Sequence, residues 1–372
     1  MQKFSKNRIK HAKRITKFDT MSFFALQSME DLVRISTLEG ETIFENQAMK
    51  KGIENDIIRD EVNKSKESAL SEFSKDLTTE IKRQVVANGR TYSLKISPVT
   101  EGNNKVVGFV EVFRDITEAT KVSNELFWAN KKINEDIKLA KNIQQAILPN
   151  IKMIENVEFQ FSHMASDDLS GDIFDVIHLE DKKIGVYIAD VVGHGISASI
   201  MTMFIRQAMR NILTDSHVLS PSKVILELKR RYSLLNLDVG QYFTIIYALL
   251  DLEKNELIYS NAGHNANPIF FNQDKVVEMK NRGKFISNIF PPMEYKEKHI
   301  EIEKGDKVLF YTDGLLETED QNGEFYGMDN LLNWINENKI QDDFINKLNS
   351  ELNNYRWQEQ KDDIAMVYMK IN

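Results

Sequence analysis

The chain is 372 residues long, 42% hydrophobic and 28% charged, with a net charge of −8 and no cysteine. This length exceeds one ordinary core and predicts two domains with a connector; the composition is that of a soluble globular protein, and the acidic balance argues against nucleic-acid binding. The lack of thiols excludes disulfides, thiolate metal sites, cysteinyl-phosphate chemistry and flavin–cysteine photochemistry, and a cytoplasmic setting is expected.

Residues 1–20 form a basic N-terminal segment, the first 17 residues carrying seven Lys or Arg and no acid. No apolar core of signal-peptide length follows, and no run approaches the ~18 apolar residues of a transmembrane segment. Such a segment is either simply solvated or able to touch an anionic membrane or a partner.

Residues 21–117 read as a small α+β unit. "EDLVRISTLEGETIFENQAMKK" gives an alternating strand, a turn at Gly40, a second strand and a helix start. "RTYSLKISPV" and "VVGFVEVFRDIT" supply further strands, separated by the loop "TEGNN". The stretch 55–83 has helical spacing and is expected to cover one face of the sheet. With "TLEGETIFENQAMKK" near its start and "VEVFRDITEATK" at its exit, the region resembles a PAS sensor domain. That resemblance implies either an unknown ligand or regulatory protein, or a ligand-free dimerising module.

Residues 118–150 are expected to form a helical, coiled-coil linker. Apolar residues recur at heptad spacing: Ala119, Leu126, Ile133, Ala140 and Ile147 in one series, Val122, Ala129 and Ile143 in the other, interrupted by Asp136. The seam suits pairing in a homodimer, in competition with packing on the chain's own domains. Pro149 ends the helix, because it lacks an amide donor and disfavours helical geometry before it.

Residues 151–372 form the second domain. "KIGVYIAD", "YFTIIYALLDL", "NELIYSNAGH", "PIFFN", "DKVLFYTDG" and "DDIAMVYMKI" read as strands, and helices are expected at 196–213, 221–235 and 328–353. Short turns such as "DLEKNE" favour antiparallel sheets with helices packed outside.

Several apolar strands in this domain end or begin at an aspartate: Asp190 in "IADVVGHG", Asp313 in "FYTDG", and Asp362 or Asp363 in "KDDIAMVY". Asp172 and Asp175 in "LSGDIFD" are further candidates. One Asp after a strand is a common turn residue; repeated strand-end carboxylates can converge on one edge of a sheet. Clustered carboxylates repel unless cations neutralise them, and hard oxygen ligands suit Mg²⁺ or Mn²⁺. Two such ions, roughly 3.5–4 Å apart, can activate a water for attack on phosphorus. Gly171, Gly193, Gly195 and Gly314 beside the acids allow close backbone approach.

The motifs "AKNIQQAILP", "SGDIFD", "GVYIADVVGHGISAS", "YFTIIYALLDL", "IYSNAGHNANPIFF", "GDKVLFYTDGLLETEDQNGEFYG" and "DDIAMVYMKI" stand in the order of a known family. Over roughly 136–372 the chain resembles the SpoIIE/RsbU-type serine phosphatases, a branch of the metal-dependent PPM phosphatases. The resemblance implies an α/β/β/α sandwich of two antiparallel sheets flanked by helices. It also implies that Asp172 and Asp190 hold one metal with the carbonyl of Val191, and Asp190, Asp313 and Asp362 the other. Asp175, Gly171, His194, Gly314 and Asp363 are supporting candidates. The implied substrate is a phosphorylated STAS-domain protein, such as an anti-sigma-factor antagonist, in bacterial partner switching.

Three positions depart from the family pattern: Ser170 replaces the first glycine of Gly-Gly-Asp, Ala365 stands where Thr is common, and "FISNIFPP" lacks Leu-Gly. His194 either donates to phosphate or a water at the site, or packs in its turn; His264 is expected to order a loop, and His163 is a candidate for orienting the phosphoprotein. A non-catalytic scaffold of the same architecture remains an alternative. A sensor histidine kinase would need a phosphoacceptor on the linker, and residues 116–150 contain no histidine.

Overall fold

The computed structural model describes residues 20–73, 80–101, 105–215, 218–238, 240–291 and 293–372. Residues 1–19 of the basic segment and 102–104 of the loop "TEGNN" lie outside the described residues. The chain divides into two compact units, one ending at Lys132 and one spanning Ile133–Asn372.

The first unit contains β1 (Leu32–Thr37), β2 (Thr42–Glu45), α1 (Gln47–Glu54), α2 (Arg59–Phe73), β3 (Ile81–Ala87), β4 (Arg90–Glu101) and β5 (Lys105–Asp115). The strands form one antiparallel sheet in the order β2-β1-β5-β4-β3. Gly40, at φ +85°, makes the β1–β2 turn in the left-handed region that favours glycine. Asn46 caps α1: its Oδ1 accepts from the Met49 amide at 2.9 Å and from the Val33 amide at 3.1 Å, pinning the helix start to β1. The helical reading of 55–83 needs correction, because residues from Ile81 onward form β3. Ile81 through Ala87 pair along their length with β4, and this ladder overrides local helical spacing.

Apolar residues from the sheet and helices, including Met49, Ile58, Val62, Leu94, Phe109 and Phe113, form the core of this unit. A buried ion pair lies within it. Arg34 on β1 and Glu111 on β5 are register partners, and Arg34 Nε donates to Glu111 Oε2 at 2.6 Å. Arg34 also donates to the Val62 carbonyl at 2.8 Å, and the Ser65 hydroxyl donates to the other Glu111 oxygen, so the pair fastens α2 to the sheet.

The helix α3 (Thr117–Ile147) follows β5 and ends two residues before Pro149, as its sequence predicts. Val122, Leu126, Ile133 and Ile143 of the heptad seam are exposed. Among the described residues no helix is long and apolar enough to cross a membrane.

The second unit continues with β6 (Met153–Ile154), β7 (Val157–Met164), β8 (Asp172–Leu179), β9 (Lys183–Val191), α4 (Ile196–Thr214) and α5 (Pro221–Ser233). Then come β10 (Tyr242–Asp251), β11 (Glu256–Ala262), β12 (Ile269–Phe271), β13 (Val276–Glu278), β14 (Ile286–Ser287), β15 (Glu297–Glu301) and β16 (Lys307–Tyr311). A 3₁₀ turn (Asp313–Leu315), α6 (Gly327–Asn338), α7 (Phe344–Tyr355) and β17 (Ile364–Ile371) complete it. One antiparallel sheet runs β15-β11-β10-β9-β8 with β14 on β10; the other runs β13-β12-β16-β17-β7-β6.

The expected sandwich is present. One core lies between the sheets, with Ile184, Val186 and Ile188 of β9 facing Phe310 and Val367. A second joins the other face of β9 to α4 and α5, and a third packs α6 and α7 on the outer face of the partner sheet. The expected single helix over 328–353 is instead α6 and α7, broken by Asp343 at φ +59°. The break lets Phe344, Ile345, Leu348 and Leu352 of α7 reach the same core as Leu331 and Ile335 of α6.

Replacing Glu111 by Ala strands the Arg34 charge in the first unit, a loss worth about 3–5 kcal/mol for a buried pair. Urea unfolding of the full chain, with hydrogen exchange followed in β1 and β5, should show that unit opening at lower denaturant.

Candidate active site

Strand periodicity decides what lies at the site. Side chains alternate between faces, so on β9 Ile184, Val186 and Ile188 enter the inter-sheet core while Tyr187, Ala189 and Val191 face the helices. Asp190 takes the next inter-sheet position. By the same alternation Asp172 follows Phe174 and Val176 on β8, Thr244 follows Ile246 on β10, Thr312 follows Phe310 beyond β16, and Asp363 precedes Ala365 on β17. Five strands thus turn polar at one end of the layer between the sheets.

Asp172 and Asp190 are register partners, and Thr244 is the partner of Asp190 on its other side. Asp172 is buried, with Oδ2 accepting from the Thr312 hydroxyl at 2.7 Å. That hydroxyl accepts in turn from the Ala365 amide at 2.9 Å, so the polar chain crosses between the sheets. Asp190, Val191, His194, Asp313, Asp362 and Asp363 line one cleft of about 480 Å³. The acids expected at strand ends are brought together here, and Asp172 lies directly beside Asp190.

Asp362 and Asp363 have different surroundings. Asp363 Oδ1 accepts from the Ser166 amide at 2.7 Å and its hydroxyl at 2.9 Å, while Oδ2 accepts from the Gly171 amide at 2.6 Å. It staples the loop before Asp172 to the start of β17. Asp362 is exposed, its Oδ1 accepting from the Asp363 amide at 2.8 Å. Gly314 is required by contact, since a Cβ there would stand 2.1 Å from the Asp363 carbonyl. At Gly171 a Cβ would approach the Val191 carbonyl to 3.0 Å.

The electrostatics are those of crowded like charges. Burial first, then Asp190, pushes the Asp172 carboxyl well above the usual carboxylate range, against the Thr312 hydrogen bond. Burial, followed by Asp313 and Asp362, pushes Asp190 up to about 7. Lost hydration, with Asp313 and Asp363 nearby, raises Asp362 against the hydrogen bond from the Asp363 amide. Among the described residues no Lys, Arg or His is ion-paired with these five aspartates; Lys361, which lines the cleft, is taken by Glu319. Nor are three His, Asp or Glu side chains among the described residues gathered tightly enough to grip one ion as they stand. Unneutralised carboxylates facing one cleft are the donor set that hard divalent cations suit.

Asp175 is not part of this cluster. It lies three residues from Asp172, hence on the opposite face of β8, where Arg210 of α4 grips it at 2.7 and 3.1 Å. The expectation of a supporting role beside Asp172 is corrected accordingly. His194 does not pack in its turn: its side chain is 80% exposed at the cleft, between Gly193 and Gly195 at φ +87° and +78°. His163 points inward, Nε2 lying 3.3 Å from the Asp172 carbonyl, and is not a surface group for a partner. His264 does order its loop, bonded front and back by the Asn261 amide group at 2.8 Å.

Ser170, the departure from Gly-Gly-Asp, accepts the Asp172 amide on its hydroxyl at 3.0 Å. Thr312, Thr244 and Glu317 were not singled out in the sequence. The two threonines could have been found by counting alternate positions back along their strands. Glu317, raised by lost hydration and by Asp313 and Asp362, stands four residues after Asp313, one turn further on.

The family described as stage II sporulation protein E (SpoIIE) matches residues 180–372. The phosphoserine phosphatase RsbP of Bacillus subtilis (strain 168) is 29% identical over 186 residues, covering 49% of this chain and 45% of that protein. The phosphoserine phosphatase RsbU of the same organism is 27% identical over 195 residues, covering 52% and 57%. The chain therefore spans about half the length of these two relatives. Among solved structures, the SiaA-PP2C domain of Pseudomonas aeruginosa superposes with a TM-score of 0.58 at 20% identity, over 66% of this chain and 99% of that one, and so shares the fold. With more than half of its residues matched, the chain belongs to the SpoIIE family.

Proposed function

We propose that this protein is a metal-dependent phosphatase acting on phosphoserine or phosphothreonine of a partner protein. The observation that carries this reading is the convergence of Asp190, Asp313 and Asp362 on one cleft, with Asp172 buried directly beside Asp190 and none of the four ion-paired among the described residues. The family membership and the names of the two phosphoserine phosphatases it resembles support the substrate class.

Asp172, Asp190 and the Val191 carbonyl would hold one divalent cation, and Asp190, Asp313 and Asp362 a second. Bound there, Mg²⁺ or Mn²⁺ would supply an activated water and compensate charge on the transferring phosphoryl group. The chain's own work is positional. Thr312 orients Asp172, Asp363 fixes the Ser166–Gly171 loop, and Gly314 lets the Asp313 turn lie against the start of β17. His194, exposed at the mouth, is placed to meet the phosphoprotein.

Regulation is assigned to the first unit and the linker. The exit motif "VEVFRDIT" forms β5 and leads into α3, which supports a PAS sensor over 21–117 and a linker over 118–150. The exposed seam on α3 supports a homodimer. Within the second unit, Gln144 of α3 is buried: its Nε2 donates to the Ser170 carbonyl at 2.8 Å and its Oε1 accepts the Ser170 amide at 3.1 Å. A shift of α3 would therefore move the backbone two residues before Asp172. A phosphorylated STAS-domain protein is the proposed substrate.

Incubating the chain with Mn²⁺ and phosphorylated STAS proteins should release phosphate, and Asp313→Asn should lower the rate by more than about a hundredfold; equal release by both would overturn the role of Asp313, and release by neither would leave only the scaffold reading. Gln144→Ala should change basal turnover and blunt any response to deleting residues 1–116, measured by the same assay. A third expectation concerns stability without metal. Asp190 has a raised carboxyl, so its contribution favours folding fully below the ordinary value near pH 4 and is lost as pH rises through about 7. At pH 8 in chelator, Asp190→Asn should melt at least about 2–4 °C above the parent, the shift expected for ~1 kcal/mol, and the gap should close towards pH 4.

A further inference from the structure

His264 sits where the two sheets meet, on the Asp190 and Asp313 side of the site. The turn that carries it is specified locally. Gly263 is at φ +78°, and a Cβ there would stand 2.6 Å from the Phe285 amide, so only glycine fits. Asn261, itself buried, donates to the His264 carbonyl and accepts its amide, both at 2.8 Å. The imidazole is then held at both nitrogens. Nε2 lies 2.9 Å from the Tyr311 carbonyl and Nδ1 lies 3.0 Å from the Thr244 hydroxyl. A carbonyl can only accept, so Nε2 carries the proton; the ring is buried and neutral, so Nδ1 is bare and Thr244 donates to it.

The two partners of this ring belong to different sheets. Thr244 is the register partner of Asp190 on β10 and lines the cleft, while Tyr311 ends β16 two residues before Asp313. Asp190 and Asp313 repel each other across this gap, and the Asp172 to Thr312 bond ties the sheets only on the other flank. We infer that His264 is a positioning residue: through Thr244 and the Tyr311 carbonyl it acts as a strut that sets the separation of the strands bearing Asp190 and Asp313. The strut limits how far those strands can part when the carboxylates close on a divalent cation, so its loss acts on metal affinity more than on the reaction once metal is bound. This inference rests on the proposed metal-dependent activity.

The test uses the full chain and reads Mn²⁺ binding by calorimetry, with phosphate release as a separate measure. Thr244→Val removes the hydroxyl while keeping a β-branched strand residue, and Thr244→Ser keeps the hydroxyl. Thr244→Val should weaken Mn²⁺ binding roughly five- to tenfold, the loss of one neutral hydrogen bond, and any fall in phosphate release at limiting Mn²⁺ should shrink as Mn²⁺ is raised. Thr244→Ser should bind like the parent, and His264→Gln, which retains a donor for Tyr311, should fall between the parent and His264→Phe. Parental affinity in Thr244→Val, or equal weakening in Thr244→Ser, overturns the strut. A parent chain that binds no Mn²⁺ overturns the phosphatase reading itself.

Discussion

The alternation of strand side chains across the space between two sheets governs everything at this site. Deep in the sandwich the inward positions of β8, β9, β10, β16 and β17 are Val, Ile, Phe, Leu, Ala or Met, and each face is buried. At one end the same rows continue into Asp172, Asp190, Thr244, Thr312 and Asp363. No loop has to fold over to bring these groups together; packing the apolar rows already sets them side by side. A one-residue slip in any strand would send its acid to the helix face, where Asp175 meets Arg210.

That arrangement has an electrostatic cost, since like charges directly opposite on neighbouring strands destabilise the pair. The surrounding polar groups offset part of it. The Thr312 hydroxyl donates to Asp172, and three donors from Ser166 and Gly171 converge on Asp363. Asp190, Asp313 and Asp362 stay without a cationic partner among the described residues and face the cleft. At these positions the proposed function would pull against stability, and the apolar layers on both sides of the sheets offset the cost.

The linker meets this centre through one polar residue. Along most of α3 the side chains are exposed, yet Gln144 is buried between Ser170 and Thr202, using its amide as both donor and acceptor. An unmatched amide there would leave the Ser170 backbone groups unsatisfied, so the helix position and the backbone path into Asp172 are linked.

Local pattern in the sequence was enough for the strands, the placement of acids at their ends, the linker helix and the glycines at tight turns. Each of these rests on near neighbours: side-chain period, turn stereochemistry, and the missing amide of Pro149. It was not enough to separate Asp362 from Asp363, to send Asp175 to Arg210, to split 328–353 into two helices, or to bring Thr244 and Thr312 into the centre. Those outcomes depend on which faces of distant segments meet. Asp363 becomes an internal acceptor because Ser166 and Gly171, 197 and 192 residues away, present their donors there, and Asp362 is left to the cleft. The sequence by itself determined which residues stand at the strand ends; the packing of sheet on sheet decided which of them are satisfied by the protein and which remain available for chemistry, because hydrogen-bond partners from remote strands exist only once the apolar rows between them have closed.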